Sequence, residues 1–123
     1  QKIQSEKLKF FLCDFANFDF PVNEYDLAAA IYSLPFVQPS QFNDVFESVK
    51  KSLVTNGIFC GQFFGIRDSW CHNSQLTFLS KKVVLAILGD MEIIHLDEKE
   101  FEGKTADSSP KHWHVYNVIA RKK

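Results

Sequence analysis

Arg67, Asp68, Trp70, Cys71 and His72 crowd into one short stretch, "IRDSWCHN", straight after the apolar run "GIFCGQFFG". Arg67 carries the planar fork that binds a carboxylate or phosphate through two hydrogen bonds. Asp68 has the charge to orient such a group or to pair with Arg67, and Trp70 has the area to wall a pocket. The competing reading is a surface Arg–Asp pair beside an aromatic anchor, worth about 0–1 kcal/mol. Cys71 has no base nearby except His72, and neighbours on an extended chain point to opposite faces. Farther on, "KHWH" sets His112 and His114 two residues apart, on one face of a strand. Zinc normally needs a third or fourth ligand, and no Cys or acid is spaced to supply it, so no metal is expected. Asp14 closes the apolar run "LKFFLCDF"; by residue type alone it is a turn aspartate.

These residues need elements to hold them. "LKFFLCDF" (residues 8–15) is a strand candidate, followed by a turn at Asp19, Pro21 and Asn23. "YDLAAAIYSL" (residues 25–34) reads as a strand buried on both faces, as in a parallel sheet. In "QPSQFNDVFESVKKSLV", Phe42, Val45, Phe46, Val49 and Leu53 recur at spacings of three and four, one apolar helical stripe. Pro39 and Ser40 signal its start, Lys50 and Lys51 suit its end, and Asn56-Gly57 is read as its stop. "IFCGQFF" is the next strand. Ser80 and Gly89 bracket a second helix, "MEIIHLDEKEF" is a strand, "EGKTADSSP" a polar loop, and "KHWHVYNVIARKK" a last strand with a basic tail. Strands alternating with helices predict a parallel sheet with right-handed crossovers. No helix separates the last two strands, so they pair antiparallel.

Composition narrows the function classes. The chain has 123 residues, enough for one domain, and a formal net charge of −1, which gives no pull toward nucleic acid or anionic membrane. No apolar run reaches the roughly 18–20 residues of a membrane span. Three cysteines without close pairs argue for reduced thiols and a cytoplasmic protein. Thirteen phenylalanines promise a bulky core.

Four stretches together resemble class I S-adenosylmethionine-dependent methyltransferases, and within them the tellurite-resistance-like branch. They are "FLCDFANFDFP", "YDLAAAIYSLPFVQP", "VKKSLVTNGIFCGQFFG", and the pair "FFGIRDSW" and "PKHWHVYNVIARK". The resemblance implies an α/β Rossmann-like methyltransferase fold, a mostly parallel sheet with an antiparallel last strand, N-terminally incomplete. Residues 1–123 form a partial domain on this reading, without the first two strands and the Gly-rich cofactor loop; no G-x-G occurs in the sequence. Glycines matter there because they let backbone approach the cofactor closely. In such a sheet the missing strands lie in the middle, between the third and the fourth.

By resemblance, Asp14 accepts from the adenine amino group, with the Phe15 backbone nearby, and Ala30, Ile31 and Tyr32 line the cofactor pocket. Arg67, Asp68 and Trp70 fall where such enzymes keep substrate residues, and Trp113 and His114 are packing and hydrogen-bonding residues. The implied function is methyl transfer from S-adenosylmethionine to a small-molecule acceptor by the complete protein. Two rivals stand beside it. One is a degenerate, non-catalytic interaction module that forms a homodimer through exposed sheet edges. The other is a different nucleotide-binding α/β domain, against which the antiparallel final hairpin counts.

Overall fold

The computed structural model describes residues 8, 9 and 11–123. Strand β1 (Tyr25–Ala30) leads through a 3₁₀ turn (Leu34–Phe36) into helix α1 (Pro39–Ser52). Strand β2 (Leu53–Gly65), a short β3 (Phe78–Leu79), helix α2 (Lys81–Ile87), and the long strands β4 (Met91–Lys104) and β5 (Pro110–Lys122) complete it. The sheet order is β1-β2-β5-β4, with β3 on β2. β1 and β3 run parallel to β2, while β5 is antiparallel to both β2 and β4. Only the last strand runs against the rest, as the absence of a helix between β4 and β5 predicts.

The described residues of the run 8–15 do not form the expected strand; residue 10 lies outside the described residues. Asp14 instead precedes a 3₁₀ turn (Phe15–Asn17), its carbonyl accepting from the Asn17 N–H at 3.0 Å. A strand needs a paired neighbour to satisfy its backbone, and among the described residues β1 carries a partner on one side only. For the same reason β1 is not buried on both faces: Leu27 is 59 % exposed, while Ala28 and Ala30 pack on the core.

The core lies on one face of the sheet. Phe42, Val45, Phe46 and Val49, four of the five residues of the predicted stripe, are buried against Phe59 and Phe63 of β2 and Tyr116, Val118 and Ala120 of β5; the fifth, Leu53, is buried too but belongs to β2. Phe46 meets Phe59 and Phe63 edge-on at 5.3 and 5.5 Å, contacts worth about 0.5–1.5 kcal/mol each beyond burial. Val84 and Leu88 bring α2 onto the same face. Lys50 ties the helices together, donating to the Ile87 carbonyl and to Asp90, both at 3.0 Å, and pairing with Glu47. Burial pulls its pKa down, but those two carboxylates outweigh burial and the net shift is upward.

The stop of α1 differs in detail from the expectation. The helix ends at Ser52, and Leu53 already begins β2, fully buried. Asn56, with φ 69°, takes the left-handed conformation, not Gly57. Gly57 is needed for space: a Cβ there would lie 2.8 Å from the Val54 carbonyl oxygen and 3.1 Å from that of Tyr25. Ser80 caps α2 as expected, accepting from Val83, but the C-cap is Leu88, and Gly89 has no positive φ. The "basic tail" is largely strand: Lys122 donates to the Leu53 carbonyl at 2.7 Å and pins β5 to the start of β2.

Candidate functional site

The carboxyl ends of β1 and β2 face the same side, where ligands bind in open α/β sheets. At the end of β1 a cleft of 540 Å³ opens between the N-terminal segment and the start of α1. Asp14 and Phe15 line it, with Ser33, Phe36 and Val37 opposite, Gln38 at the N-cap of α1 and Gln41 from its first turn. The Asp14 carboxylate is exposed and makes no capping bond to the 3₁₀ turn beside it. Ala30 lines a smaller adjoining groove. Ile31 and Tyr32 sit on the turn past β1, both exposed. Tyr32 holds a φ of 49°, its N–H donating to Gln62 Oε1 at 2.7 Å. Of the cofactor residues read from the sequence, Asp14 and Phe15 therefore line the cleft, Ala30 lines the adjoining groove, and Ile31 and Tyr32 follow β1 on the exposed turn and line neither.

The stretch after β2 is arranged otherwise than its spacing suggests. Asp68 does not pair with Arg67. It is buried, and so is Lys111, whose Nζ donates to Asp68 Oδ1. The same carboxylate accepts from the N–H of Trp70 at 2.9 Å and from that of His114 at 3.2 Å. Around the ammonium stand three rings, with centroids 3.8 Å (Trp113), 4.2 Å (Trp70) and 4.9 Å (Phe64) away. Burial holds the Lys111 pKa below its ordinary value, against the opposing pull of Asp68. Asp68 and Trp70, read as substrate residues, are thus members of an internal ion pair in an aromatic cage that fixes the loop to the start of β5.

Arg67 turns to the face of the sheet that carries the core, where Glu98 and Glu100 lie level with Tyr116 and His114. Its Nε donates to Glu100 at 2.6 Å and its Nη2 to Glu98 at 2.9 Å, so two carboxylates of β4 hold one guanidinium. The Arg67 backbone N–H donates to His114 Nδ1 at 3.0 Å, which leaves the ring proton on Nε2, donating to Glu98 at 2.7 Å. His114 is fully buried above Gly65, and a Cβ at Gly65 would fall inside its imidazole. The hydrogen bond from His114, above all, holds the Glu98 carboxyl below its ordinary range.

His112 bridges Glu100 and Glu102. Those hydrogen bonds raise its pKa above 6.5. The pairs are therefore at full strength below pH 6.5 and fade as pH rises through the raised value. A proton NMR titration of the His112 imidazole should give a pKa above 6.5, and Glu100→Gln should lower it; a value at or below 6.5 would contradict the bridge.

His112 and His114 share a face as predicted, but their partners are carboxylates of β4. Among the described residues no group of three or more His, Cys, Asp or Glu is placed to hold a metal. Lys111, Glu98 and Glu100 are missed by sequence reasoning. The one signal was the alternation Glu98-x-Glu100-x-Glu102 opposite the "KHWH" strand.

Comparison with solved structures decides the architecture. A SAM-dependent methyltransferase from Methanosarcina mazei superposes with a TM-score of 0.71 at 15% identity, over 93% of this chain and 66% of that one. TehB from Haemophilus influenzae gives 0.71 at 14% identity, over 92% of this chain and 40% of TehB. The Burkholderia thailandensis 1,6-didemethyltoxoflavin-N1-methyltransferase, with 1,6-didemethyltoxoflavin and S-adenosylhomocysteine bound, gives 0.64 at 16% identity, over 96% and 52%. The fold is that of the class I S-adenosylmethionine-dependent methyltransferases. No protein-family model matches the chain, nor does any curated protein. The chain spans between 40% and 66% of the length of these three methyltransferases. Within that span the methyltransferase fold accounts for the antiparallel β5 inserted between β2 and β4. Among the described residues no helix is long and apolar enough to cross a membrane.

Proposed function

We propose that the chain is the rear part of a cytoplasmic methyltransferase domain that transfers a methyl group from S-adenosylmethionine to a small-molecule acceptor. The first two strands and the Gly-rich loop lie outside the chain on this reading. The observation that carries it is the cleft at the carboxyl end of β1, with the exposed carboxylate of Asp14, which makes no capping bond to the 3₁₀ turn, and the Phe15 backbone at its wall. That donor set fits the adenine end of the cofactor. Bound there, S-adenosylmethionine supplies an electrophilic methyl group. The protein's work is then to hold donor and acceptor in line, which needs no acid or base side chain.

Arg67 keeps its place in the proposal as a substrate-side residue, but Glu98 and Glu100 already neutralise it, so it meets the acceptor as part of a charged cluster. Asp68 and Trp70 contribute by fixing the loop that carries it. The acceptor class rests on the solved structures: the Burkholderia enzyme is named for a small molecule that it holds. The free thiols of Cys13, Cys60 and Cys71 accord with a reducing compartment. The reading is tested by amide NMR during addition of S-adenosylhomocysteine. Within these 123 residues, shifts confined to residues 13–17 and 30–38 support it; shifts elsewhere among them, or none at all with a longer chain carrying the upstream residues, refute it.

A second reading, the homodimeric interaction module, has one observation in its favour. β1 carries a single charge, Asp26, on an edge left open among the described residues, where backbone groups are a template for pairing. Light scattering on the eluting chain would show a dimer in that case; a folded monomer removes the reading.

A further inference from the structure

We propose that the aromatic surface beside the cleft is a stacking platform for a planar aromatic or heteroaromatic acceptor. This deepens the methyltransferase reading and rests on it for the word acceptor, though not for the platform itself. On the sheet face opposite the helices, Phe101 and Trp113 are cross-strand partners, stacked at 6.2 Å with 13° between their planes. Tyr32 stands upright against Trp113 at 74°, and Phe36 upright against Trp70 at 69°. The two tryptophans touch each other at 5.9 Å. Three of these rings remain open to solvent: Phe36 is 53 % exposed, Tyr32 and Phe101 45 % each.

Three features separate this patch from scattered surface apolars. Its rings come from separate elements (the turn after β1, the 3₁₀ turn and β4) and converge on two tryptophans. It is rigid from beneath: Lys111 lies against one face of Trp113, and Asp68 holds both Lys111 and the Trp70 backbone. It also adjoins the cleft, because Phe36 lines the cleft and packs on Trp70. A floor parallel to Trp113 with upright rings beside it matches a flat ring, which gains offset and edge contacts that an aliphatic molecule of equal area cannot make. Pre-set rings also lose little freedom on binding.

Trp70 and Trp113 are the chain's two tryptophans, so their indole N–H signals report the platform directly. The 123-residue chain is titrated with quinoline and, separately, with cyclohexanol. The expected result is a saturable shift of the Trp113 signal with quinoline and at least tenfold weaker binding of cyclohexanol. Phe101→Leu should weaken quinoline about fivefold, the scale of one aromatic contact, and Phe101→Tyr should restore it. Equal binding of both probes, no saturable shift, or no effect of Phe101→Leu overturns the platform. In a longer chain carrying the upstream residues, S-adenosylhomocysteine affinity, read at residues 13–17, should be unchanged by Phe101→Leu. Failure of that longer chain to bind S-adenosylhomocysteine, with quinoline binding intact, would sink the methyltransferase reading and leave the platform standing.

Discussion

Asp68→Ala should lower stability by about 3–5 kcal/mol, the usual cost of leaving a buried charge without its partner. Lys111 would then sit fully buried, with three rings about it but no carboxylate. The N–H groups of Trp70 and His114 would lose their acceptor in the same stroke. Both belong to the junction between the loop after β2 and the start of β5, so the whole carboxyl end of the sheet loosens. Urea denaturation followed by tryptophan fluorescence measures it, because Trp70 and Trp113 both touch the ammonium. Asp68→Asn with Lys111→Met removes both charges and keeps shape, so the double variant should recover most of the loss. A single variant as stable as the wild type would contradict the buried pair.

Gly65→Ala should cost about 3 kcal/mol, from overpacking combined with lost buried hydrogen bonds. The added methyl would occupy the space of the His114 ring, which is fully buried and cannot slide aside into solvent. Displacing the ring breaks its bonds to the Arg67 N–H and to Glu98. Arg67 then keeps its carboxylates but loses the backbone tether. Adding His114→Ala to Gly65→Ala opens that space, so the pair should be less than additive. Full additivity in denaturation midpoints would refute the contact.

What could be read from the chain in advance follows from how local each signal is. The stripe of α1 repeats within a few residues, so Phe42, Val45, Phe46 and Val49 declare their face unaided. The direction of β5 follows from a connection too short for a crossover. Gly57 was legible as a special position but not in its role: crowding by the Val54 and Tyr25 carbonyls, not a positive φ, demands glycine there. The strand expected over residues 8–15 and the double burial of β1 both presuppose neighbouring strands. Composition reports apolarity but not whether a partner strand is alongside.

The site was legible in its position and not in its wiring. "FFGIRDSW" and "KHWHVY" stood out as a pair, and the structure joins them through Asp68, Lys111, Trp70, Trp113 and His114. Which residue meets which could not be read, because the partners lie far apart along the chain. Lys111 reaches back 43 residues to Asp68, and Glu98 and Glu100 come 31 and 33 residues after Arg67. A lysine in sequence reads as solvated; only the fold shows this one enclosed by rings.

The most direct measurement of the central claim is calorimetric titration of S-adenosylhomocysteine into the 123-residue chain and into a longer chain carrying the upstream residues. Asp14→Ala is measured in the longer one. The account predicts binding by the longer chain, weak or absent binding by the shorter, and at least a tenfold loss with Asp14→Ala. Failure of the longer chain to bind, or an Asp14→Ala variant that binds as tightly as wild type, would contradict the assignment of the cleft at the end of β1 to the cofactor.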